Sequence, residues 1–550
     1  MAPVRPFSPS TRRDFLKYTS AFAASGAVLL HPLRAQDATF VVAETTYGKI
    51  RGVDNNGIKV FKGIPYGANT AGANRFMAPA EPAKWAGVRD ALAYGHSAPQ
   101  SDPAAPARPP GALTISGQGL PAEGEDCLVL NVWTPAVGAA GHKRPVMFWC
   151  HGGGFATGSG SSPDNDGTNL ARRGDVVVVT INHRLNVFGF ANLSEFSGDF
   201  AASGDAGMLD IVQALQWVRA NISEFGGDPN TVMIFGQSGG GRKVETLLAM
   251  PSAKGLFHRA TIESGAAIKV VDRDVALRNS ELLLAKLGID KANVRDLQRL
   301  PVEKILAAHF AVIKEHPGVD QSVAGFSPTV DGKILPQQPF HPNASPVSAD
   351  VPVMIGCTRT EMTLFSLNDA SAFSQNEKEM RGRVTDLLGG QAPSIVGLYQ
   401  KLNPGASPSD IYFLIASDYR YGAPTMKIAE RRAALGKGPV YLYYFTWETP
   451  VQGGRLKSPH TMEIPFAFDN VKISARMTGG GADAMALADK VSDAWIAFAR
   501  TGNPNTPKLP NWPVFNAKDR PTMVIDNVSK VVQDPLREQR IAMFRAMNLA

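Results

Sequence analysis

The stretch VMIFGQSGGGRKVETLL, residues 232–248, joins a predicted buried strand to a predicted helix through a turn that is rich in glycine. Its first four residues are apolar, and the pattern after the glycines is typical of a helix. Ser238 stands in the turn, with Gly236 before it and three glycines after it. Glycine permits the backbone conformations of a sharp turn that a Cβ atom would oppose. The arrangement fits the pattern G-x-S-x-G, in which a serine hydroxyl is exposed above the carboxyl edge of a sheet.

Two other interpretations of this turn remain open from the residues alone. A glycine-rich turn between a strand and a helix can bind a phosphate, but neither GxxxxGK[ST] nor GxGxxG occurs in it. The serine can also do no more than cap the helix. We favour a nucleophile, because the small neighbours let a carbonyl group approach and the helix N-terminus stabilises developing negative charge.

Strand-like and helix-like segments alternate on both sides of this turn. The clearest apolar runs of β type are residues 146–150, 176–180, 232–235, 351–356 and 440–445. Continuous apolar runs are typical of parallel strands that helices cover on both faces. We therefore predict an α/β fold with a large, mostly parallel central sheet flanked by helices.

Two segments interrupt this alternation. Residues 272–340 have mostly helical patterns and are predicted to form an insertion over the sheet. Residues 99–110 hold five prolines and begin a polar stretch that extends to Glu125. We predict a long loop there, as a surface connection or a lid near the mouth of a pocket.

The first 35 residues have the features of an export signal. Residues 10–17, STRRDFLK, resemble a twin-arginine motif, and a weakly apolar run follows at residues 21–30. This run is far shorter than the roughly 20 residues that span a bilayer, so we predict no membrane anchor. We expect a signal peptide over residues 1–35, one catalytic domain over residues 36–550, and a periplasmic or secreted bacterial protein. A basic N-terminus followed by a core helix is the alternative.

The composition argues against several classes of function. The formal net charge of the 550 residues is +7 and falls to +3 without the first 35, too little to indicate nucleic-acid binding. Three cysteines, Cys127, Cys150 and Cys357, do not make a disulfide framework. Neither CxxC nor HExxH occurs, so we expect no metal site. The oligomeric state is not indicated.

A second glycine-rich segment, CHGGGF at residues 150–155, directly follows the predicted strand 146–150. Consecutive glycines expose backbone N–H groups, and two such donors plus the N–H after Ser238 would form an oxyanion hole. A flexible glycine loop without function is the alternative. We favour the oxyanion hole, because this loop lies upstream of the serine turn, as in an α/β hydrolase.

The general base and its acid partner are predicted from chain order. Of the ten histidines, only His460 lies after the segment expected to bear the acid, in SPHTMEIPF at residues 458–466. Glu361 follows the predicted strand 351–356, where a carboxylate could hold the imidazole in the right tautomer. Composition cannot choose between Glu361 and four competing aspartates, which are Asp331, Asp350, Asp369 and Asp418. The order Ser238, Glu361, His460 is nevertheless that of α/β hydrolases.

Several ordered motifs make the chain resemble the type-B carboxylesterases, the family of bacterial para-nitrobenzyl esterases and cholinesterases. The resemblance extends from about Thr39 to Phe515. Its motifs are FKGIPY at residues 61–66, EDCLVLNV at 125–132, HGGGF at 151–155, GMLD at 207–210, the serine turn, HTMEIPF at 460–466 and WIAFARTGNP at 495–504.

The resemblance implies an α/β-hydrolase fold with the catalytic residues Ser238, Glu361 and His460. It implies oxyanion donors on Gly153, Gly154 and Gly239, and a supporting role for Ser264. We expect a serine hydrolase that cleaves small carboxylic esters through an acyl-enzyme, without a cofactor. Hydrolysis of amides, carbamates or thioesters by the same residues is the alternative, and a binding protein without activity is a remote one.

The chain also departs from the family pattern. Gln237 and Gly239 replace the usual glutamate and alanine beside the nucleophile, which should change local pKa values and substrate preference but leave the serine chemistry intact. Ala98 stands where a cysteine usually pairs with Cys127, so we predict that Cys127 is unpaired. No aromatic residue lies between residues 99 and 126, so poor selectivity for choline esters is expected. We also expect Phe155 in the wall of the site.

Overall fold

The computed structural model describes residues 39–105, 120–138, 143–316 and 325–549. From Phe40 onward these residues belong to one compact unit. The predicted signal peptide lies outside the described residues, as does part of the predicted loop after Pro99.

A mixed sheet of thirteen strands runs through the described part of the chain. The strands are β1 (Phe40–Thr45), β2 (Gly48–Asn55), β3 (Ile58–Pro65), β4 (Val88–Asp90), β5 (Val129–Thr134), β6 (Arg144–Cys150), β7 (Val177–Ile181), β8 (Gly227–Gln237), β9 (Arg259–Glu263), β10 (Val353–Thr358), β11 (Val440–Phe445), β12 (Pro521–Ile525) and β13 (Lys530–Gln533). Their order is β1-β2-β3-β5-β7-β6-β8-β9-β10-β11-β12-β13, with β4 beside β2.

Neighbouring strands from β7 to β12 are all parallel. Antiparallel pairs lie at the two ends, from β1 to β7 and between β12 and β13. Every residue of β7 and β10 is buried, which explains their continuous apolar sequences. The predicted mostly parallel sheet is confirmed.

Helices cover both faces of the sheet. They are α1 (Thr168–Gly174), α2 (Asn186–Phe190), α3 (Ala206–Asn221), α4 (Gly239–Leu247), α5 (Arg273–Leu287), α6 (Val302–Glu315), α7 (Met362–Phe365), α8 (Glu377–Leu388), α9 (Ala392–Leu402), α10 (Pro408–Ser417), α11 (Ala423–Ala434), α12 (Ile464–Ala467), α13 (Ala475–Thr478), α14 (Ala482–Thr501) and α15 (Arg537–Ala546). Among the helices of the described residues, none has both the length and the apolar character needed to cross a membrane.

Alternate residues of the central strands supply two separate cores. Phe148 of β6 packs in the cluster that contains residues of α3 and α4. Its neighbours Met147 and Trp149 pack in the cluster that contains residues of α14. Side chains alternate between the faces of a strand, so both faces of this apolar strand are used. Within the predicted insertion at residues 272–340, α5 and α6 contribute to the first cluster.

The carboxyl ends of five adjacent parallel strands meet at one edge of the sheet. Strand β6 is followed by the glycine loop, β8 by Ser238 and β9 by Ser264. Strand β10 is followed by Glu361, and the loop after β11 contains His460. Ligands of open α/β sheets bind at this edge, so the predicted site residues converge there.

Candidate active site

Ser238 occupies a strained turn between β8 and α4. Its backbone has φ 59° and ψ −121°, a conformation that is unfavourable for a residue with a Cβ atom. The Ser238 N–H donates to the carbonyl of Glu263 at 2.8 Å, which ties the turn to the end of β9. The side chain is half-buried and lines a cavity of about 380 Å³.

The glycine loop packs directly against this turn. A Cβ atom on Gly239 would lie 2.2 Å from the carbonyl oxygen of Gly154 and 2.4 Å from its nitrogen. Gly153 has φ +87°, and a Cβ there would lie 2.3 Å from the oxygen of Thr157. Only glycine permits this approach of two backbone segments. Gly153 and Gly154 line the same cavity as Ser238.

His460 is held by a buried carboxylate. Its Nδ1 and Glu361 Oε2 form a hydrogen bond, and both side chains are buried. The other oxygen of Glu361 accepts the N–H of Thr358 at 2.7 Å and the hydroxyl of Ser264 at 2.7 Å. None of the four competing aspartates, all within the described residues, hydrogen-bonds to His460. The geometry therefore places Glu361 rather than an aspartate beside the imidazole.

Gln237 contacts the imidazole of His460, whereas Ser238 shares only the cavity with it. Nε2 of Gln237 lies 3.3 Å from both Nδ1 and Nε2 of His460. Between the described side chains of Ser238 and His460 there is no hydrogen bond, although both line the cavity. Contacts between a nucleophile and its base are often long before substrate binds, so this separation is compatible with their reacting together.

A second glutamate lies behind Glu361. Oε1 of Glu463 is 2.9 Å from Oγ of Ser264, the same hydroxyl that donates to Glu361. Burial raises the pKa of Glu463 well above its usual range, and the charges of Glu361 and Glu263 raise it further. Burial also raises the pKa of Glu263 to about 7, although Trp495 donates to its Oε1 at 2.7 Å. Three carboxyl groups therefore share a buried region behind the histidine.

Seven apolar side chains line the cavity around Ser238 and His460, together with glycines and polar residues. They are Leu120, Trp149, Leu364, Phe365, Ile464, Pro465 and Met477. Asp164 and Arg476, which form an ion pair, also line the cavity. Phe155 does not line it, so that expectation was wrong. It is buried against Phe190, with ring centroids 5.2 Å apart.

All three cysteines of the chain lie within the described residues. Cys127 is buried and unpaired, as are Cys150 and Cys357, which confirms the prediction for Cys127. No group of three or more potential metal ligands occurs within the described ranges of the chain.

Sequence reasoning assigned no role to Glu463 or Lys243, which both lie near the predicted site residues. Glu463 is three residues after His460 and is followed by the apolar residues of α12, a position where an ionised group would be costly. That apolar context was a usable signal. Lys243 lies on α4, five residues after Ser238, and is buried despite its charge. A lysine on a helix is usually exposed, so the sequence carried no comparable signal.

The chemistry open to this geometry is acyl transfer through a serine hydroxyl, aided by an imidazole and by backbone N–H groups. The fold and the site thus define a serine hydrolase. The chain belongs to the carboxylesterase family, which it matches over residues 39–544.

Relatives and solved structures agree with this membership. The chain is 38% identical to a para-nitrobenzyl esterase of Bacillus subtilis, over 92% of this chain and 99% of the relative. It is 34% identical to a phenmedipham hydrolase of Pseudarthrobacter oxydans, over 91% and 98%. The crystal structure of a carboxylesterase from Geobacillus stearothermophilus superimposes with a TM-score of 0.78 at 37% identity, over 91% of this chain and 99% of that one. The α/β-hydrolase fold is confirmed, and the protein is a carboxylic ester hydrolase.

Proposed function

We propose that Ser238, His460 and Glu361 act as nucleophile, general base and orienting acid in ester hydrolysis. The observation that supports this most strongly is the hydrogen bond between His460 Nδ1 and the buried Glu361, with Ser238 on the wall of the same cavity. This bond fixes the tautomer that leaves Nε2 free to accept the serine proton. A buried carboxylate also stabilises the imidazolium that forms when the proton is taken.

The reaction proceeds in two halves. Ser238 attacks the ester carbonyl while His460 takes its proton, and His460 then protonates the departing alcohol. Water attacks the resulting acyl-enzyme by the same route and releases the acid. In both halves the tetrahedral oxyanion accepts hydrogen bonds from the N–H groups of Gly153, Gly154 and Gly239. One such donor is typically worth about 3–4 kcal/mol in the transition state.

The cavity favours esters with apolar groups of moderate size. Its volume of about 380 Å³ suits a small molecule, and its wall includes the apolar side chains of Trp149, Phe365 and Met477. The segment from residue 99 to residue 126 contains no aromatic residue that could bind a quaternary ammonium. We therefore propose preference for neutral esters over choline esters.

A panel of p-nitrophenyl esters with acyl chains of increasing length tests the mechanism and the pocket together. Ser238→Ala should lose at least about 10⁴-fold in kcat, because the nucleophile is gone. Ser394→Ala serves as the matched control, because this exposed hydroxyl on α9 only donates to the carbonyl of Gln391. Undiminished hydrolysis by Ser238→Ala would refute the assignment. A matched set of ester, thioester and anilide substrates separates ester hydrolysis from the alternatives.

We further propose that residues 1–35 direct export through the twin-arginine route, which would make the protein periplasmic or secreted. The support is the STRRDFLK sequence followed by a short apolar run. Replacing both Arg12 and Arg13 by lysine should leave the full-length chain in the cytoplasm of a bacterial host. Arg5→Lys is the control and should be exported and processed normally. Equal export of both variants would contradict the proposal.

A further inference from the structure

Lys243 is a buried lysine beneath the glycine loop. It lies on α4, and its ammonium group donates to the carbonyl of His151 at 2.8 Å and to the carbonyl of Gly154 at 3.0 Å. Its Nζ also lies 5.5 Å from the ring centroid of Phe155. No carboxylate within the described ranges forms an ion pair with it.

Burial at this position is costly for a lysine, because only two carbonyl groups and one aromatic ring of the described residues contact its amine. Burial lowers the pKa of Lys243 to about 7, and no ion pair offsets that cost. Burial and the Lys243 charge together keep His151 and His183 neutral, because each has a pKa lowered well below its usual range. A buried amine that has no ion-pair partner, and whose desolvation is costly, suggests a function beyond packing. Its contacts indicate what that function is.

The two carbonyls that Lys243 holds lie on either side of the proposed oxyanion donors. The His151 carbonyl belongs to the peptide unit just before the one that carries the Gly153 N–H. The Gly154 carbonyl belongs to the peptide unit just after the one that carries the Gly154 N–H. Lys243 therefore fixes both peptide units that flank the two donors.

The donor peptide units themselves are held by neighbouring residues. The Gly152 carbonyl, on the unit that carries the Gly153 N–H, lies 2.9 Å from Nδ1 of His151. The Gly153 carbonyl, on the unit that carries the Gly154 N–H, accepts the N–H of Thr157 at 3.0 Å. Four consecutive carbonyls are thus held. Glycine has no side chain to fix such a loop, so other residues must hold its carbonyls.

We propose that Lys243 is a positioning residue that aims the N–H groups of Gly153 and Gly154 at the oxyanion. The proposal rests on the assignment of these glycines under the proposed function. Oxyanion stabilisation depends on donors fixed in advance within about 3 Å of the developing charge, so a loosened loop stabilises the transition state less. Both the ammonium and the neutral amine can donate two hydrogen bonds, so the role does not require one protonation state.

A comparison of an ester with its thionoester tests this role. The two substrates are 4-nitrophenyl butyrate and the analogue in which sulfur replaces the carbonyl oxygen. Sulfur is a weak acceptor, so the ratio of the two kcat/KM values measures hydrogen bonding by the oxyanion hole. Because both rates come from one preparation, the ratio does not depend on the fraction of folded enzyme. A purely structural role for Lys243 would lower both rates equally.

In Lys243→Met, which keeps an unbranched apolar side chain but removes the donors, the ratio should fall about 10-fold or more, with KM for the ester within about twofold. Lys243→Arg retains donors and charge and should keep the ratio within about threefold. Lys243→Leu, which also lacks a donor, serves if the methionine variant does not fold. An unchanged ratio in Lys243→Met, or in Lys243→Leu in its place, overturns the proposal.

Two controls separate this proposal from the one on which it rests. Lys427→Met removes a largely buried lysine that packs 4.2 Å from the ring of Phe544 and pairs with Glu430, and it should leave the ratio unchanged. If the unmodified enzyme itself shows no preference for the ester, the oxyanion-hole assignment fails. If the unmodified enzyme discriminates and Lys243→Met discriminates equally, only the role of Lys243 fails.

Discussion

Ser264 and Glu463 meet behind the imidazole, with 2.9 Å between the Ser264 hydroxyl oxygen and Glu463 Oε1. Ser264 has a single hydroxyl proton, and at 2.7 Å it also contacts Glu361, the partner of His460. One proton cannot satisfy two ionised carboxylates, so one contact needs a proton from the carboxyl group. The raised pKa of Glu463 identifies it as the protonated partner. A neutral Glu463 thus donates to Ser264, and Ser264 donates to Glu361.

Replacing Glu463 by glutamine should preserve this chain of hydrogen bonds. The glutamine NH₂ group can donate to Ser264 as the protonated carboxyl does, so kcat should stay within about threefold. Glu463→Ala leaves Ser264 without its donor and should lower kcat about 10-fold or more, since an unsatisfied buried polar group costs about 1–3 kcal/mol. Steady-state kinetics on a p-nitrophenyl ester measures both. Equal losses in the two variants would mean that an ionised Glu463 is required.

The Gln237→Glu variant should change the pH dependence of activity. Its carboxylate would replace an amide nitrogen that lies 3.3 Å from both nitrogens of His460. A negative charge there stabilises the protonated imidazole, which cannot act as a base. The acidic limb of the kcat/KM profile should therefore move to higher pH by about one unit. Gln237→Met, without the charge, should leave the limb in place, and the same shift in both variants would rule out a charge effect.

Although alanine is usual at this position in the family, Gly239→Ala should impair the proposed oxyanion hole of this chain, because its glycine loop lies too close for a Cβ atom. The added methyl group would lie 2.2 Å from the Gly154 carbonyl oxygen, so one of the two backbone segments must move. We expect kcat to fall about 100-fold or more, as when an oxyanion donor is removed. Gly397→Ala is the matched control, because a methyl group at that helical position has no neighbour within 4 Å. A wild-type kcat in Gly239→Ala would show that the glycine loop can move to accommodate the methyl group without loss of activity.

The buried carboxyl of Glu263 should make stability depend on pH. Its folded-state pKa of about 7 exceeds the usual value of 4.5, so the folded protein binds more protons than the unfolded chain between these values. The contribution of this group to the free energy of unfolding should then fall as pH rises from about 5 to about 7, by at most about 3 kcal/mol. Urea unfolding at pH 5, 6, 7 and 8 measures the dependence.

Glu263→Gln should flatten that dependence, because the amide still accepts the hydrogen bond from Trp495 and does not titrate. The pKa of Glu463 is also raised, so the free energy of unfolding of this variant should still depend on pH to some extent. Glu303→Gln on α6 removes an exposed carboxyl and should retain the full dependence. A slope in Glu263→Gln equal to that of the wild type would show that Glu263 does not titrate in this range.

Local patterns in the sequence were sufficient to predict the sheet and to predict that the site residues lie at one of its edges. Continuous apolar runs predicted β6, β7, β8, β10 and β11, because strands covered on both faces need apolar side chains in every position. The segments after β6, β8, β10 and β11 carry the residues that the geometry brings to the cavity. Carboxyl ends of parallel strands meet at one edge, so chain order alone placed Ser238, Glu361 and His460 near one another.

Contacts between distant loops were not predictable in the same way. The approach of Gln237 to His460 joins residues that lie 223 positions apart, and no local period encodes it. The orientation of Phe155 depends on how Phe190 packs, which spacing does not specify. Lys243 was missed because helical spacing cannot distinguish a solvated lysine from one that reaches a glycine loop. Burial decides the chemistry of these groups, and burial is a property of the assembled fold.

Ser238 has a positive φ, and this backbone conformation makes the folded protein less stable than it would be with glycine at the same position. Such a conformation costs about 1–3 kcal/mol for a residue with a Cβ atom. Ser238→Gly should consequently melt at a higher temperature than the wild-type enzyme while being unable to form an acyl-enzyme. Selection for thermal stability alone would therefore tend to remove Ser238, the proposed nucleophile, whereas selection for turnover would retain it.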